Sequence, residues 1–161
     1  MRITIGGLRR LLHRHLAEAP ARRWGRRGVG AVFVHPGSKS IGLALRSGRV
    51  KEPGTYGTVG GAIDQGEDAS TGLAREVKEE LGFGLSRARS VEPLDTFSEQ
   101  GFEYTTYAVV VDKRFAPRLN HENDSFDWFS LDKLPPNLHF GIASSLGKKA
   151  VLDHLARLMG D

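Results

Sequence analysis

The sequence predicts a single domain of the α+β class, and three observations support this. The 161 residues are 39% hydrophobic and 26% charged, which is ordinary for a globular domain of this length. Short runs rich in β-forming residues, at 28–35 and 104–111, predict buried strands. Apolar residues at a helical period, near 67–81 and over 141–159, predict amphipathic helices.

The composition also excludes several classes of protein. Cysteine is absent, so the chain has no disulfide framework and no thiol chemistry. No apolar run approaches the ~20 residues of a membrane span. The N-terminus lacks the apolar segment of a signal peptide, because His13, Arg14 and His15 interrupt it. We therefore expect a cytoplasmic protein with no membrane partner.

The net charge of +4 is unevenly distributed. Residues 1–27 hold eight Arg and only one acidic residue, whereas the rest of the chain is mildly acidic. Leu8, Leu12 and Leu16 predict a short helix over about 6–18, followed by an Arg-rich arm. Two interpretations remain open: a weak contact with nucleic acid through the arm, or a solvated helix docked on the domain. We predict a basic appendage over 1–27 and the domain proper over 28–161.

The remaining elements follow in chain order. The turn Pro36-Gly37-Ser38 joins the first strand to a second strand and predicts a β-hairpin. A polar loop covers 46–56, and the turn 99–101 separates two later strands. The further predictions are strands at 41–45, 90–98, 102–111 and 127–131, a polar loop at 112–124, and one continuous final helix at 141–159.

The helix near 67–81 carries a cluster of acids. Glu76, Glu79 and Glu80 stand at i, i+3 and i+4, which places their carboxylates within an arc of ~100°. Like charges at this spacing destabilise a helix by ~0.2–0.5 kcal/mol per pair. A hard divalent cation such as Mg²⁺ or Mn²⁺ would offset this repulsion, because such ions prefer carboxylate oxygens. The alternative is a solvated acidic face.

The acids belong to a longer pattern. It runs from Gly61 through Glu67 to the segment 75–83, Arg-Glu-Val-Lys-Glu-Glu-Leu-Gly-Phe. This pattern resembles the Nudix box at each of its nine defined positions. One departure lies just upstream, where Val59 stands in place of the family's usual proline. The resemblance implies an α/β/α sandwich with a mixed β-sheet. It also implies metal-dependent hydrolysis of a diphosphate linkage in a nucleotide or nucleoside diphosphate derivative.

The resemblance also implies roles for individual residues. Glu76 and Glu80 would bind the metal directly, and the Gly60 carbonyl would be a further ligand. Glu79 would bind metal or act as the general base, and Glu122, in the polar loop, is the other candidate for that base. Arg75 and Glu67 would form an ion pair that orients the helix, and Arg75 is counted among the catalytic residues. Gly61 would have a structural role.

The substrate is not specified beyond a nucleotide-like diphosphate. A base needs an aromatic platform, for which Tyr56, Phe33 and Phe129 are the main candidates and Phe97 and Phe102 are further ones. Two alternative functions remain open. One is a non-catalytic Nudix-fold module that senses nucleotides or binds RNA. The other is an RNA 5′-end pyrophosphohydrolase, which would use both the acidic site and the basic arm.

Overall fold

The structure, a computed structural model, describes residues 27–160. The predicted N-terminal helix, and the arm up to residue 26, lie outside the described residues. The described part of the chain holds seven strands and three helices, none of which is long and apolar enough to cross a membrane. In chain order they are β1 (Arg27–His35), β2 (Ser40–Arg46), β3 (Tyr56–Gly57), β4 (Val59–Ala62), α1 (Ala69–Leu81), β5 (Ser90–Glu99), β6 (Phe102–Val110), β7 (Asn123–Ser130), α2 (Phe140–Leu146) and α3 (Lys149–Leu158).

Strand β1 is the centre of a mixed sheet. It pairs in parallel with β6 along almost its whole length, and β6 pairs antiparallel with β5. The other edge of β1 is shared by two antiparallel partners, β4 over its first half and β2 over its second half. Strand β2 then pairs with β3 and β7. Because β2 and β4 share one edge of β1, the sheet divides at this point.

The sheet has a separate apolar core on each face. Val29, Ala31 and Phe33 of β1 belong to the core that α1 covers, whereas Val32 and Val34 belong to the core that α2 and α3 cover. This alternation follows from the period of two in a strand. The helices contribute Leu73, Val77 and Leu81 to the first core and Ile142, Leu146, Val151 and Leu155 to the second. Helices on both faces of a mixed sheet confirm the predicted α/β/α sandwich.

Helix α1 ends as predicted but begins slightly later. Gly82 ends it in the left-handed conformation, at φ 65°, where a residue without a Cβ is least strained. Asp68 is the N-cap, and its carboxylate accepts a hydrogen bond from the Thr71 amide at 2.7 Å. Glu67 lies outside the helix, where its side chain is free to reach back toward Arg75.

The prediction of one continuous helix over 141–159 is wrong. The chain breaks at Gly147 and Lys148 into α2 and α3. The Lys148 ammonium binds both carboxylate oxygens of Asp95 on β5, at 2.9 and 2.8 Å, and the Ser145 hydroxyl donates to the same carboxylate at 2.6 Å. These contacts hold the break against the sheet.

Candidate active site

Glu80 is the most buried acid of α1, with only 4% of its surface exposed. One carboxylate oxygen accepts a hydrogen bond from the Gly60 amide at 2.9 Å, and the other accepts one from the Asn123 side-chain amide at 2.6 Å. Burial raises the pKa of Glu80 to about 8, and these two hydrogen bonds offset only part of that effect. A buried carboxylate of this kind gains from a nearby cation, because the cation favours its ionised form.

This pKa shift predicts an unusual pH dependence of stability. The ordinary pKa of a glutamate is 4.5, and that of Glu80 in the folded chain is about 8. Without divalent cations, the folded chain therefore holds a proton on Glu80 between these two pH values. The unfolded chain does not, so the contribution of this group to stability is lost as pH rises through that window. We expect the Tm in EDTA to fall between pH 5 and 9, and to fall less steeply in Glu80→Gln. The exposed Glu79→Gln is the matched control, and an unchanged slope in Glu80→Gln would contradict the assignment.

Arg75 connects the acidic helix to the segment before it. Its guanidinium binds Glu67 through two hydrogen bonds of 3.0 and 3.1 Å, and it donates a third to the Ala62 carbonyl at 3.0 Å. A fourth, at 2.8 Å, reaches Glu76. The Glu67 carboxylate also accepts from the Asp64 amide at 2.9 Å. The ion pair expected between Arg75 and Glu67 is therefore present, and it fixes α1 relative to β4.

The three acids of α1 are not equivalent. Glu76 is largely buried, and its burial raises its pKa even though Arg75 lies beside it. Glu79 points outward with 54% of its side chain exposed, and its nearest cationic partner is Arg75 at 3.4 Å. Glu76 and Glu80 therefore form an inner pair of carboxylates, with Glu79 at the rim.

Two glycines allow β4 to lie this close to the inner carboxylates. A Cβ at position 61 would stand 2.7 Å from a carboxylate oxygen of Glu76, and one at position 60 would stand 2.0 Å from the Val29 carbonyl. Both distances are far below van der Waals contact, so a side chain at Gly60 would require the backbone to move, and one at Gly61 would displace the Glu76 carboxylate. The local requirement for glycine accounts for Gly61 as a structural residue of the site.

Glu122 lies near the inner pair, just before β7. Its main chain is held by the Ser47 amide, which donates to its carbonyl at 2.8 Å, and by its own amide, which donates to Asn120 at 3.0 Å. Its side-chain charge contributes to raising the pKa of both Glu76 and Glu80. The fold thus brings this loop residue to the acids of α1.

The neighbouring acids of Glu122 are placed differently. Asp127 accepts hydrogen bonds from the Tyr56 hydroxyl at 2.7 Å and from Ser125 at 2.8 Å, and Asp124 is exposed. Strand β7 also begins at Asn123, four residues earlier than we predicted. This earlier start positions Asn123 to bind Glu80, a contact that the polar composition of 112–124 did not indicate.

A cavity of about 200 Å³ opens beside Gly60 and Gly61. One wall consists of Phe97, Phe102 and Tyr104 from β5 and β6, and the opposite wall is α2 together with His139. Arg46, Lys51 and Thr58 also line it. The cavity therefore lies between the acidic site and the aromatic strands on the α2 side of the sheet.

Tyr104 and Arg46 are two cavity residues that we did not assign to the site from the sequence. The Tyr104 hydroxyl shares a hydrogen bond of 2.8 Å with Thr58, and burial raises its pKa to about 12. Its ring occupies a space left by Gly28 and Gly30, since a Cβ at position 30 would stand 2.1 Å from the hydroxyl. The pattern Gly-Val-Gly at 28–30 is the only signal in the sequence that indicated this space.

Most of the aromatic residues predicted to contact the base do not line the cavity. Phe33 is 0% exposed and contacts the rings of Phe83, Phe115 and Phe126 at centroid distances of 5.3, 5.1 and 5.6 Å. A fully buried ring cannot contact a substrate, so Phe33 is a core residue and its assignment is corrected. Tyr56 and Phe129 contact each other at 4.9 Å and do not line the cavity, whereas Phe97 and Phe102 do.

The oxygen donors of the site suit a hard divalent cation. Over residues 27–160, no group of three His, Asp or Glu side chains is arranged to hold a metal ion, and both Glu76 and Glu80 accept hydrogen bonds from protein donors. The available ligands are nevertheless carboxylates, and burial makes the ionised forms of two of them costly. Such a donor set fits Mg²⁺ or Mn²⁺.

Comparison with known proteins identifies the class. The family model of the NUDIX domain matches residues 24–146. The chain therefore belongs to the NUDIX domain family, the family of the Nudix hydrolases. The resemblance read from the segment 61–83 is confirmed.

Individual relatives agree with this class. An 84-residue region is 30% identical to the NAD-capped RNA hydrolase NudC of Pseudomonas aeruginosa, covering 52% of this chain and 30% of that protein. The chain thus spans about a third of the length of the curated relatives it matches. The crystal structure of a MutT NUDIX hydrolase from Burkholderia pseudomallei matches with a TM-score of 0.61 and 26% identity, over 77% of this chain and 97% of that one. A C. elegans Ap4A hydrolase shares the fold. It is 21% identical, with a TM-score of 0.63 over 83% of this chain and 99% of that one.

Proposed function

We propose that the chain hydrolyses a diphosphate linkage in a nucleotide derivative and uses Mg²⁺ or Mn²⁺ to do so. The observation that carries this proposal is the position of the inner carboxylates. Glu76 and Glu80 lie against the same Gly60–Gly61 segment that lines the cavity. A diphosphate that reaches this segment from the cavity would meet the acidic site.

The residues have distinct roles in this proposal. Glu76 and Glu80 hold the cation, together with the Gly60 carbonyl and Glu79. When bound, the cation neutralises charge on the diphosphate and lowers the pKa of a bound water. Arg75, through its bonds to Glu67 and Ala62, keeps the helix carboxylates in position.

Hydrolysis also needs a group that takes a proton from the attacking water. As the oxygen of the water bonds to phosphorus, the bridging P–O bond breaks and the proton passes to a carboxylate. Glu122 is our first candidate for this carboxylate, because it approaches the inner pair from a different element of the fold. Glu79, at the exposed rim, is the second.

The cavity indicates the kind of group that it accepts. Its volume of about 200 Å³ is below the ~300 Å³ at the lower end of drug-sized sites, which suits a single aromatic ring system. Phe97 and Phe102 offer aromatic surface for such a ring. We therefore propose that the base or another aromatic moiety of the substrate occupies the cavity while the diphosphate reaches Gly60 and Gly61.

Arg46 supplies a cation on the cavity wall. Burial lowers its pKa, which shows that its charge is poorly solvated. Its Nε donates to the Lys51 carbonyl at 2.8 Å, and in the described part of the chain it forms no ion pair with a carboxylate. A poorly solvated guanidinium of this kind suits a phosphate group.

We expect Arg46→Met to raise KM by roughly 10-fold or more while kcat changes less. The reason is that a hydrogen bond to a charged group contributes about 1.5–3 kcal/mol, and this bond would form in both ground state and transition state. Steady-state kinetics would measure the effect, with a substrate that a hydrolysis screen has identified. Arg49→Met, at an exposed Arg three residues further along the chain, is the matched control. Equal KM values in wild type and Arg46→Met would exclude the contact.

The proposal is tested by a hydrolysis screen with Mg²⁺, with Mn²⁺ and in EDTA. Suitable substrates are nucleoside triphosphates, nucleotide sugars, dinucleoside polyphosphates and capped RNA. We expect metal-dependent cleavage of at least one class, with products that reveal which P–O bond breaks. Folded protein that cleaves none of them would favour the non-catalytic module.

A second candidate substrate is the 5′ end of RNA. Similarity to an NAD-capped RNA hydrolase over 52% of the chain supports it. NAD contains a diphosphate linkage between two nucleotides, so the same chemistry would apply. Comparing free NAD with NAD-capped RNA would separate the two substrates, because only the capped RNA carries a polynucleotide.

A further inference from the structure

A row of aromatic rings near the end of α1 has an arginine at each end. The rings of Phe83 and Phe115 lie 4.4 Å apart, and those of Phe115 and Trp128 lie 6.0 Å apart. The Arg87 guanidinium lies 4.8 Å from the Phe83 ring centre, and the Arg114 guanidinium lies 5.6 Å from that of Trp128. We call these five residues the arginine–aromatic row.

A third arginine lies beside the row. A cleft of about 280 Å³ is lined by Arg87 and Arg118, with Phe83 and Phe115 among its other lining residues. Arg118 is held there because its amide donates to the Leu81 carbonyl at 2.9 Å. The row and its cleft therefore carry three guanidinium groups, two at the cleft and one at the Trp128 end of the row.

These three charges are not compensated within the described residues. Arg87, Arg114 and Arg118 are exposed, and over residues 27–160 none of them forms an ion pair with a carboxylate. Arg89 differs, since it pairs with Asp112. A surface with several unpaired cations favours a partner that carries a series of negative charges.

The chemistry of the row favours phosphate over carboxylate partners. A guanidinium that lies on a ring still presents N–H donors at its edge to phosphate oxygens. Arg114 is further oriented by hydrogen bonds to Ser38 and Ser40, at 3.1 and 3.2 Å. Phe115 and Trp128 are only half-buried, so they offer surface on which bases can stack. Cations interleaved with aromatic rings are typical of surfaces that bind single-stranded nucleic acid.

The row also adjoins the acidic site. The loop that carries Arg114 and Arg118 continues to Glu122, and the Asn120 amide donates to the Glu80 carbonyl at 3.2 Å. Only three residues separate Arg118 from Glu122, so their Cα atoms are at most about 14 Å apart. A polynucleotide on the row would therefore lie beside the acids of α1.

We propose that the arginine–aromatic row, together with Arg118, binds single-stranded nucleic acid. This goes beyond the proposed hydrolysis and does not depend on it, because binding is measurable without catalysis. The surface is also distinct from the cavity, which lies on the α2 side of the sheet and shares none of these residues.

The test is fluorescence anisotropy of a labelled 15-nucleotide RNA of mixed sequence with the full chain, in EDTA and over a range of KCl concentrations. We expect the triple variant Arg87→Gln/Arg114→Gln/Arg118→Gln to bind at least about 10-fold more weakly. Its slope of log affinity against log salt should be smaller by about 2, since each lost phosphate contact on a single strand removes ~0.7. Wild type should also bind the single strand more tightly than a duplex of the same sequence.

A matched triple variant controls for net charge. Lys133→Gln/Lys149→Gln/Arg157→Gln removes the same three charges from exposed positions elsewhere, and it should bind RNA like wild type. Circular dichroism and Tm would establish that both variants are folded. Equal affinities and salt slopes for the two triple variants would overturn the proposal. Tighter binding to the duplex, or equally effective competition by poly-glutamate, would also overturn it.

Discussion

Glu80→Gln is expected to lower kcat by at least ~10²-fold, which corresponds to about 2.7 kcal/mol of lost transition-state stabilisation. The glutamine keeps the volume of the side chain but removes the charge that would hold the cation. It also brings an amide donor toward the Asn123 amide, which now donates to Glu80 at 2.6 Å. Steady-state kinetics at saturating Mg²⁺, with Tm to verify folding, measure the effect.

Glu79→Gln is the informative comparison. We expect a loss of at least ~10²-fold here too if Glu79 binds the cation or takes the proton. Its exposed side chain contributes little to the fold, so its Tm should match that of wild type or rise slightly as helix repulsion is relieved. Full activity in both folded variants would remove the catalytic role from α1.

Glu122→Gln should reduce kcat more than it raises KM. A general base acts in the transition state, whereas a residue that only binds substrate affects both states. General bases contribute typically 10²–10⁴-fold, so a loss of ~10²-fold is expected. The pH–rate profile should also lose the ionisation of the base.

Asp124→Asn and Asp127→Asn are the controls for Glu122. Asp124 is exposed, and the carboxylate of Asp127 is engaged by Tyr56 and Ser125, so both variants should retain most of the rate. A wild-type kcat in Glu122→Gln with a large loss in one of these would move the role to that neighbour. Normal rates in all three would assign the base to Glu79.

The elements of the fold that depend on local pattern were predictable from the sequence. The period of 3.6 and the stop at Gly82 define α1, and the β-rich runs define β1 and β6. The spacing of Glu76, Glu79 and Glu80 predicted adjacent carboxylates, because helical geometry alone determines that adjacency. Which of them is buried depends on where β4 lies, and a periodicity does not contain that information.

The parts that depend on tertiary contacts were missed. Arg46 and Tyr104 reach the cavity through strand register and through the space above Gly28 and Gly30. Phe33 was assigned wrongly because an apolar run does not tell a core ring from an exposed one. The break between α2 and α3 did leave a signal. Successive core residues of one continuous helix are three or four positions apart, whereas the core residues 146 and 151 are five positions apart.

The break at Gly147 and Lys148 divides the C-terminal segment into two helices with different roles. Helix α2 forms a wall of the cavity and also contributes Ile142 and Leu146 to the core, whereas α3 contributes Val151 and Leu155 to the core and does not line the cavity. Lys148, bound to Asp95, anchors the junction between the two helices against the sheet. Because Ile142 and Leu146 are core residues, substrate preference can diverge at little cost to folding only at the other positions of 139–147 that line the cavity. Libraries that seek new specificity should therefore be confined to His139, Phe140, Gly141 and Ser144.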